Sequence, residues 1–496
     1  MRKELLCVLG GLMAACAVQA QQGQADYTQQ PYYQGGLQAV QMAPGAGYGS
    51  YYYPNNYGYT PSYPANYGYG AAYGYGNGAG VPNAGYGYAT GVPNTVQVPA
   101  DIPAAPAAGN AIPAGDPVSG GGVSGGPNKT FWVSADYLLS SIQRGQLRYP
   151  LVTTGSANDT LPGALGQPNT AVVFGANNLS TGLSSGVRGE IGAFLDADHV
   201  FSLDGGGFIL FPRNVHATFA SDGNGFPTVA RPYINTLGGQ LRAEQSAYNP
   251  FFFGSTSVNT DTKLYGFEAN ARCNGSLGTN WKADFLVGFR FLQLDESLNI
   301  NDTLTPIPPP NGINVLTFLG PLIDPAATLS DRDSFATSNT FYGVNLGGRL
   351  RWEYDWLTVT AFGKVALGAT EQHVRINGST TLVGPAGTQV ATGGILALPS
   401  NIGSYSRSVF GVVPETGITI GMQPINHVRL SLGYSLLYWN AVVRPGDQID
   451  PRLNRSAIPG DPTFGSAMNP GSNPTFTFQD RSFRVQNLTA GVEIYY

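Results

Sequence analysis

Charged side chains stand at every second position in one stretch near the middle of the chain. Arg349, Arg351 and Glu353 alternate with Leu350 and Trp352. On a β-strand, residues two apart point to the same face, so these charges share one side and the apolar residues share the other. Charges on one face of a strand can set the electric field in a water-filled lumen, or pair with one another across a narrow one.

The same spacing recurs along the chain, and it selects the charged residues expected to line the interior of a barrel. The predicted lumen-lining residues are Glu268, Arg272, Asp284, Arg290, Arg349, Arg351, Glu353 and Lys364. Arg349, Arg351 and Lys364 are expected to form a local positive patch. Over all the strands, basic and acidic residues on this face are nearly balanced, whereas an ion-selective pore is typically lined by one sign of charge. Two interpretations stay open, a weakly selective wet channel and a narrow lumen bridged by ion pairs.

Catalytic and metal-binding chemistry has less support. Glu371 and His373 have the residue types of a general-base pair, but no nucleophile stands at a defined spacing from them. None of the four histidines and three cysteines forms a His-x-x-x-His or Cys-x-x-Cys pair. The glycines at 205–207 lack the Gly-Lys-Ser/Thr of a phosphate-binding loop. We therefore expect no enzyme activity, no catalytic or metal-binding residue and no cofactor. An outer-membrane hydrolase is the least favoured hypothesis.

Long amphipathic strands must position the charged residues. Residues 341–375 alternate with period two on both sides of a polar break at Asp355, which predicts two strands and a tight turn. A helix would have to hold Gly347 and Gly348 in its interior, which costs helical stability. The inward residues are odd-numbered before the break and even-numbered after it, so the turn should contain an even number of residues. Each strand is close to the roughly 9–11 residues that a tilted strand needs to cross a bilayer.

The predicted strands and connections alternate regularly. Ten strands are expected, with twelve as the alternative, at residues 130–139, 186–195, 201–211, 264–272, 281–291, 342–354, 357–370, 406–422, 428–438 and 482–496. Long polar connections alternate with short turns, as in outer-membrane barrels with long outer loops and short periplasmic turns. Five aromatic residues lie beside the expected turns, where an interfacial girdle belongs: Trp281, Trp352, Tyr354, Trp356 and Tyr496. The pattern predicts an all-β, antiparallel transmembrane β-barrel; a secreted sandwich is less favoured because its strands are shorter.

The N-terminal part differs in composition from the rest. Residues 1–20 have a basic start, an apolar run and a small-residue end, which predicts an export signal peptide. Residues 21–127 contain no Lys or Arg and are rich in Tyr, Gly and Pro, which predicts a disordered low-complexity segment. This segment is either a linker or an adhesive tail with an envelope partner. The barrel domain is expected over residues 128–496.

Overall composition excludes several classes. The 496-residue chain carries 11% charged residues and a net charge of −5, and its basic residues are not clustered, so no nucleic-acid partner is expected. After the leader, no stretch approaches the roughly 18 apolar residues of a membrane helix. Cleavage after Ala20 would leave Cys273 alone, without an internal disulfide.

Four stretches also resemble a known family. They begin at Phe131 (FWVSADYLL), Pro150 (PLVTTGS), Gly347 (GGRLRWEYDWLTVTAFGKVALGATEQHVRINGST) and Arg407 (RSVFGVVPETGITIGMQPINHVRLSLGYSLLYWNAVVRPGDQID). They are similar to the bacterial putative beta barrel porin family numbered seven in its series, over about residues 128–496. The resemblance implies an outer-membrane barrel and supplies no catalytic or ligand-binding residues.

These patterns together predict an exported protein of the bacterial outer membrane. The favoured hypothesis is a porin-like passive channel for small hydrophilic solutes, in which the lumenal charges set the field and the outer loops limit size. The alternative is a surface-structural or adhesion barrel that acts through its long outer loops and has a side-chain-filled lumen. Interior width grows with strand number, and ten strands lie near the closed end. Outer-membrane lipid is the expected partner in both cases, and the sequence leaves the oligomeric state open.

Overall fold

Ten antiparallel strands form a closed barrel in the computed structural model, which describes residues 130–176, 178–179, 182–308, 313–466 and 473–496. The barrel strands are β1 (Phe131–Ile142), β2 (Leu183–Phe194), β3 (Phe201–Ala220), β4 (Phe252–Ser276), β5 (Trp281–Pro306), β6 (Thr328–Tyr354), β7 (Leu357–Gly384), β8 (Gly403–Ile425), β9 (Val428–Val443) and β10 (Asp480–Tyr495). Each strand pairs with its neighbours along the chain, and β1 pairs with β10. The predicted all-β, ten-stranded barrel is confirmed, and closure leaves no strand edge unpaired in hydrocarbon.

Helical structure in the described part of the chain is confined to two short 3-10 helices, Pro445–Gln448 and Arg455–Ala457. Among these residues, no helix has the length and apolar character needed to cross a membrane. The predicted signal peptide at 1–20, the predicted low-complexity segment at 21–127 and the first two residues of the predicted barrel domain lie outside the described residues.

The connections alternate between long and short, as predicted. The short turns are residues 195–200, 277–280, 355–356 and 426–427, and the long connections are residues 143–182, 221–251, 307–327, 385–402 and 444–479. At the β6–β7 turn, Glu353 pairs with Thr358 and Tyr354 pairs with Leu357. The turn itself is therefore Asp355 and Trp356, an even number of residues. Asp355 has a φ of 53°, a left-handed conformation that Asp tolerates better than most residues.

The strands extend further toward the long loops than the sequence predicted. β4 begins at Phe252 and β6 begins at Thr328, whereas the predicted strands begin at residues 264 and 342. β7 likewise continues to Gly384. The expectation was wrong because outward residues become polar in these segments while inward ones such as Phe335 stay buried. The period-two pattern continues with its polarity inverted, because the outward face there no longer meets hydrocarbon.

The outward face nearer the short turns is apolar and suits a membrane. Ile191 is 60% exposed and Phe410 is 67% exposed, although both are large apolar side chains. Aromatic residues lie at the short-turn end, where Trp352 stacks on Tyr354 at 5.9 Å between ring centroids. This arrangement is the lipid-facing band with an interfacial aromatic girdle that outer-membrane barrels require.

Inward-facing apolar side chains form a continuous cluster across the middle of the barrel. We call this cluster the apolar layer, and its buried residues are Leu138, Ile142, Leu210, Leu264, Leu292, Leu294, Phe341, Ala366, Val413, Leu437, Trp439, Val442, Phe483 and Val485. Every barrel strand except β2 contributes at least one of them. Burial of each large apolar side chain stabilises the fold by about 1.5–3 kcal/mol, so the barrel has a core of its own.

The long connections fold into an outer cap, which we define as residues 143–176, 221–251, 385–402 and 444–466. Five short strands in these connections form a second sheet: Pro150–Gly155, Ala171–Gly175, Thr228–Asn235, Gln240–Ala247 and Arg452–Leu453. Apolar residues of the cap, including Leu151, Tyr233 and Leu398, pack in one buried cluster with inward-facing Phe335 and Ile376 of the barrel strands. The cap therefore occupies the outer mouth of the barrel.

Candidate functional site

Glu415 on β8 is the meeting point of the charged residues in the barrel interior. Its carboxylate accepts a hydrogen bond from Arg290 Nη2, and it lies 3.4 Å from Lys364 Nζ and 3.5 Å from Arg188 Nη2. Arg188 is on β2, and three strands separate β2 from β8. A carboxylate that is only 2% exposed and holds cations from distant strands ties opposite walls of the barrel together.

Glu268 completes this group, which we call the central ionic cluster (Arg188, Glu268, Arg290, Lys364 and Glu415). Both of its carboxylate oxygens accept hydrogen bonds from Lys364 Nζ at 2.8 Å, and Arg290 Nη1 lies 3.9 Å away. β5 and β6 separate Glu268 on β4 from Lys364 on β7, so this contact also crosses the lumen.

A second group lies toward the short turns, and we call it the periplasmic ionic cluster (Lys282, Asp284, Arg349, Arg351, Glu353, Arg429 and Glu493). Arg349 Nε donates to Asp284 Oδ2 at 2.6 Å. Glu353 lies 2.8 Å from Lys282 and 3.7 Å from Arg351. Nearly all the charge in this layer is compensated by a neighbour of opposite sign.

Arg272 belongs to neither cluster and pairs locally on its own side of the barrel. Its Nη2 donates to Asp204 Oδ1 at 2.8 Å and lies 3.4 Å from Glu190 Oε1. Asn270 also donates to Asp204, at 3.0 Å. These contacts link β2, β3 and β4 along the inner wall.

All eight residues predicted to line the lumen lie on the inner face, and all eight take part in ion pairs. The predicted positive patch is wrong, because Lys364 lies in the central ionic cluster whereas Arg349 and Arg351 lie in the periplasmic one. The predicted set also omits the central acceptor, Glu415. The sequence does mark Glu415 as a charge between two uncharged residues on the inner face of β8, because its inward neighbours are Val413 and Gly417.

The apolar layer lies above the central ionic cluster and crosses the lumen. Phe341 on β6 packs against Trp439 on β9 with ring centroids 6.1 Å apart. Trp439 Nε1 also donates to Thr370 Oγ1 on β7 at 3.0 Å. Further out, Arg444 Nε donates to Glu296 Oε2 on β5 at 2.8 Å, and both side chains are buried. Aromatic rings and a buried ion pair therefore occupy the space that a solute would need.

Arg231 fastens the outer cap to the barrel. It is 1% exposed, and its Nη1 lies 2.9 Å from Asp302 on β5 and 2.6 Å from Asp333 on β6. Burial alone would lower the pKa of the Arg231 guanidinium, but the two carboxylates raise it above its ordinary value. Asp333 also accepts the backbone N–H of Ala397 at 2.8 Å, so one carboxylate holds two connections of the cap.

A second ionisable group of the cap, Glu244, lies outside the membrane-spanning part of the barrel. Tyr233 donates its hydroxyl to Glu244 Oε1 at 3.1 Å. Burial, with repulsion from Asp461, raises the pKa of the Glu244 carboxyl to about 8. At neutral pH this carboxyl is mostly protonated.

The two residues considered for general-base chemistry do not bind each other. Glu371 accepts a hydrogen bond from the Tyr342 hydroxyl at 3.0 Å, and His373 Nε2 lies 2.9 Å from Ser404 Oγ. Both side chains are on the outward face of β7. In the described parts of the chain, no group of three or more His, Cys, Asp or Glu side chains is arranged to hold a metal ion.

A family model described as Putative beta barrel porin-7 matches residues 132–496 of this chain. The match covers the barrel from Trp132, the second residue of β1, to the end of the chain. No curated protein matches the sequence.

Several solved outer-membrane structures show weak similarity. The outer membrane protease OmpT from Escherichia coli gives a TM-score of 0.31 at 10% identity, covering 75% of this chain and 98% of that chain. The P. putida toluene transporter TodX gives 0.14 at 10% identity, covering 74% and 90%. A Pseudomonas aeruginosa FadL homologue gives 0.18 at 8% identity, with the same coverage. TM-scores this low carry no argument about function.

Proposed function

Because this chain belongs to the putative beta barrel porin-7 family, and is thus a bacterial outer-membrane β-barrel, we propose that it acts as a surface barrel. In this proposal the barrel is a rigid scaffold that presents the outer cap to the surroundings, and its lumen does not pass solutes in the described state. Outer-membrane lipid covers the apolar band on the outward face.

The filled interior is the observation that carries this proposal. From the short turns outward, the lumen holds the periplasmic ionic cluster, the central ionic cluster, the apolar layer and the buried core of the cap. A barrel of eight strands is just filled by its own side chains, and width grows with strand number. A ten-stranded barrel whose interior is filled by large side chains and folded loops is better suited to be a scaffold than a channel.

A cavity among the long connections supports a role in recognition. A cavity of about 280 Å³ is lined by residues of all five long connections, among them Leu161, Glu244, Leu316, Ile395 and Ile458. Loops that are fixed on a rigid scaffold are common sites of binding, and pockets form preferentially at the mouths of barrels. We propose that the surface of the long connections around this cavity binds the partner of the barrel.

A porin-like passive channel for small hydrophilic solutes is the second candidate. The family description and the charged inner wall nearer the periplasm favour it. In that case the apolar layer would have to move aside, and the residues first met by a solute from the periplasm would include Arg349 and Arg351.

Planar-bilayer conductance and liposome permeability test the two candidates. For the full-length refolded protein, we expect no discrete conductance steps and no leakage of small sugars. A known porin in the same bilayers checks that conductance is detectable, and protease protection of the barrel checks insertion. Discrete steps from the wild-type protein would reject the closed scaffold in favour of the channel.

We also propose that the chain is not an enzyme. Glu371 and His373 lie on the outward face and are bound to different neighbours. A general base needs a nucleophile or substrate proton within hydrogen-bond reach and a group that orients it. Hydrolysis of phospholipid or peptide by the purified protein, lost in the His373→Gln variant, would reject this proposal.

A further inference from the structure

A cavity of about 350 Å³ opens at the periplasmic end of the barrel, apart from the outer cap. Its wall combines aromatic and basic side chains from five strands and one short turn. They include Trp132, Phe194, His199, Lys282 and Arg351. Because the cavity lies below both the central ionic cluster and the apolar layer, a molecule can reach it from the periplasm whether or not the lumen conducts.

Arg351 is the least satisfied cation in this cavity. Its Nε atom is buried and has no hydrogen-bond partner. Its nearest carboxylate contact is Glu353 Oε1, 3.7 Å from Nη1, a separation too long for a hydrogen bond. Arg349, on the same face of β6, instead donates Nε to Asp284 at 2.6 Å. One donor of the Arg351 guanidinium, Nε, therefore lacks a partner, and the side chain lies in the wall of the cavity.

Glu353, the carboxylate nearest to Arg351, is already shared with other cations. Glu353 lies 2.8 Å from Lys282 and 3.9 Å from Arg429 as well. A buried donor without a partner costs free energy, which an incoming acceptor recovers. The planar fork of an arginine matches the two oxygens of a carboxylate or a phosphate.

Two features of the wall narrow the choice of anion. Asp284 and Glu493 also line the cavity, and they would repel the second charge of a phosphate dianion more than they would repel a monoanion. Trp132 and Phe194 lie with ring centroids 5.0 Å apart, and Phe194 stacks on His199 at 4.2 Å. Such a wall suits a flat apolar ring.

We propose that the periplasmic cavity binds a monocarboxylate that carries a flat ring, with the carboxylate on the Arg351 guanidinium and the ring against Phe194 and Trp132. This binding site is independent of the proposed surface role, because it requires neither transport nor a partner on the cap.

Titration of the full-length protein in detergent with benzoate tests the site, with tryptophan fluorescence and calorimetry as readouts. We expect saturable binding at millimolar benzoate and a loss of about 10- to 100-fold in affinity for Arg351→Gln, the effect of removing a charged hydrogen bond. Arg375→Gln is the matched control, because Arg375 is an exposed arginine on the outward face of β7. The affinity of Arg375→Gln for benzoate should equal that of the wild type.

Further measurements separate the contribution of the carboxylate to the affinity from that of the ring. Phe194→Leu should weaken benzoate but leave acetate unchanged. If Arg351→Gln does not fold, Arg351→Lys carries the test, because it keeps the charge and loses the fork; we expect it to bind benzoate more weakly than the wild type. The proposal would be overturned if the Arg351 variants bound benzoate as tightly as the wild type does. It would also be overturned if the wild type bound phosphate as tightly as benzoate, or showed no saturable binding of benzoate.

Discussion

Phe341 and Trp439 pack against each other inside the barrel at 6.1 Å between ring centroids, although β7 and β8 lie between their strands. Neither side chain is exposed to solvent. Two rings can meet in this way only where the lumen is narrow. The contact therefore makes the apolar layer a seal across the barrel as well as a source of stability.

The first prediction concerns this seal. Phe341→Ala should lower the free energy of unfolding by about 3–5 kcal/mol, the usual cost of removing a buried ring and leaving a cavity. Phe410→Ala is the matched control, since Phe410 is 67% exposed on the outward face of β8 and its removal leaves no cavity in the core. Urea unfolding in lipid vesicles measures both. Equal losses for the two variants would mean that the apolar layer is not packed as described.

The second prediction concerns Glu415. Glu415→Gln removes the charge shared by Arg188, Arg290 and Lys364 and leaves buried cations with less compensation. Breaking a buried ion pair from one side typically costs about 3–5 kcal/mol. Glu371→Gln, which alters a carboxylate on the outward face, should cost much less. The same urea experiment compares them, and an undiminished stability of Glu415→Gln would show that water screens the central cluster.

The outward face was predictable because the membrane imposes a strong pattern on it. Hydrocarbon requires apolar residues at every second position, so Leu350 and Trp352 reveal the strand and place Arg349 and Arg351 inside. The parity of the inward residues also predicted an even number of turn residues, and the turn at Asp355 and Trp356 has two. These inferences need only local spacing, which a sequence contains.

The partners across the lumen were not predictable, because they depend on strand order, tilt and stagger around the closed barrel. Period two places Arg188 and Glu415 on the inner face, but it does not say that residues separated by three strands meet. The period-two pattern likewise groups Lys364 with Arg349, although the stagger of the strands places Lys364 beside Glu268. The outer ends of the strands were missed for a different reason: the face that meets water reverses its polarity there.

The third prediction tests whether Arg349 and Arg351 line a path for ions. A double variant, Arg349→Gln with Arg351→Gln, should show the same absence of discrete conductance as the wild type, because the apolar layer above them is intact. Planar bilayers measure this, with Arg375→Gln as the control for altered charge on the outward face. A shift toward cation selectivity would instead mean that ions pass these residues and that the porin-like candidate is correct.

The fourth prediction concerns the attachment of the cap. Arg231→Gln leaves Asp302 and Asp333 buried without their shared cation, so the cap should loosen from the barrel. We expect faster cleavage of residues 221–251 in limited proteolysis. Arg148→Gln is the control, because the Arg148 side chain is 59% exposed in its ion pair with Asp447 and exposed pairs contribute about 1 kcal/mol or less. Unchanged cleavage in Arg231→Gln would show that apolar packing alone holds the cap.

The fifth prediction is a pH dependence of the cap through Glu244. Its carboxyl has a pKa of about 8 in the folded cap, against an ordinary value of 4.5. Between these two pH values the folded state holds a proton that the unfolded state has lost, so the stability of the cap falls as pH rises through this range. Cleavage of residues 221–251 should therefore be faster at pH 8 than at pH 5, after correction for the activity of the protease on a small peptide. Glu244→Gln cannot ionise and should remove this dependence, while Glu371→Gln should retain it. If Glu244→Gln keeps the full rise in cleavage with pH, another group controls the cap.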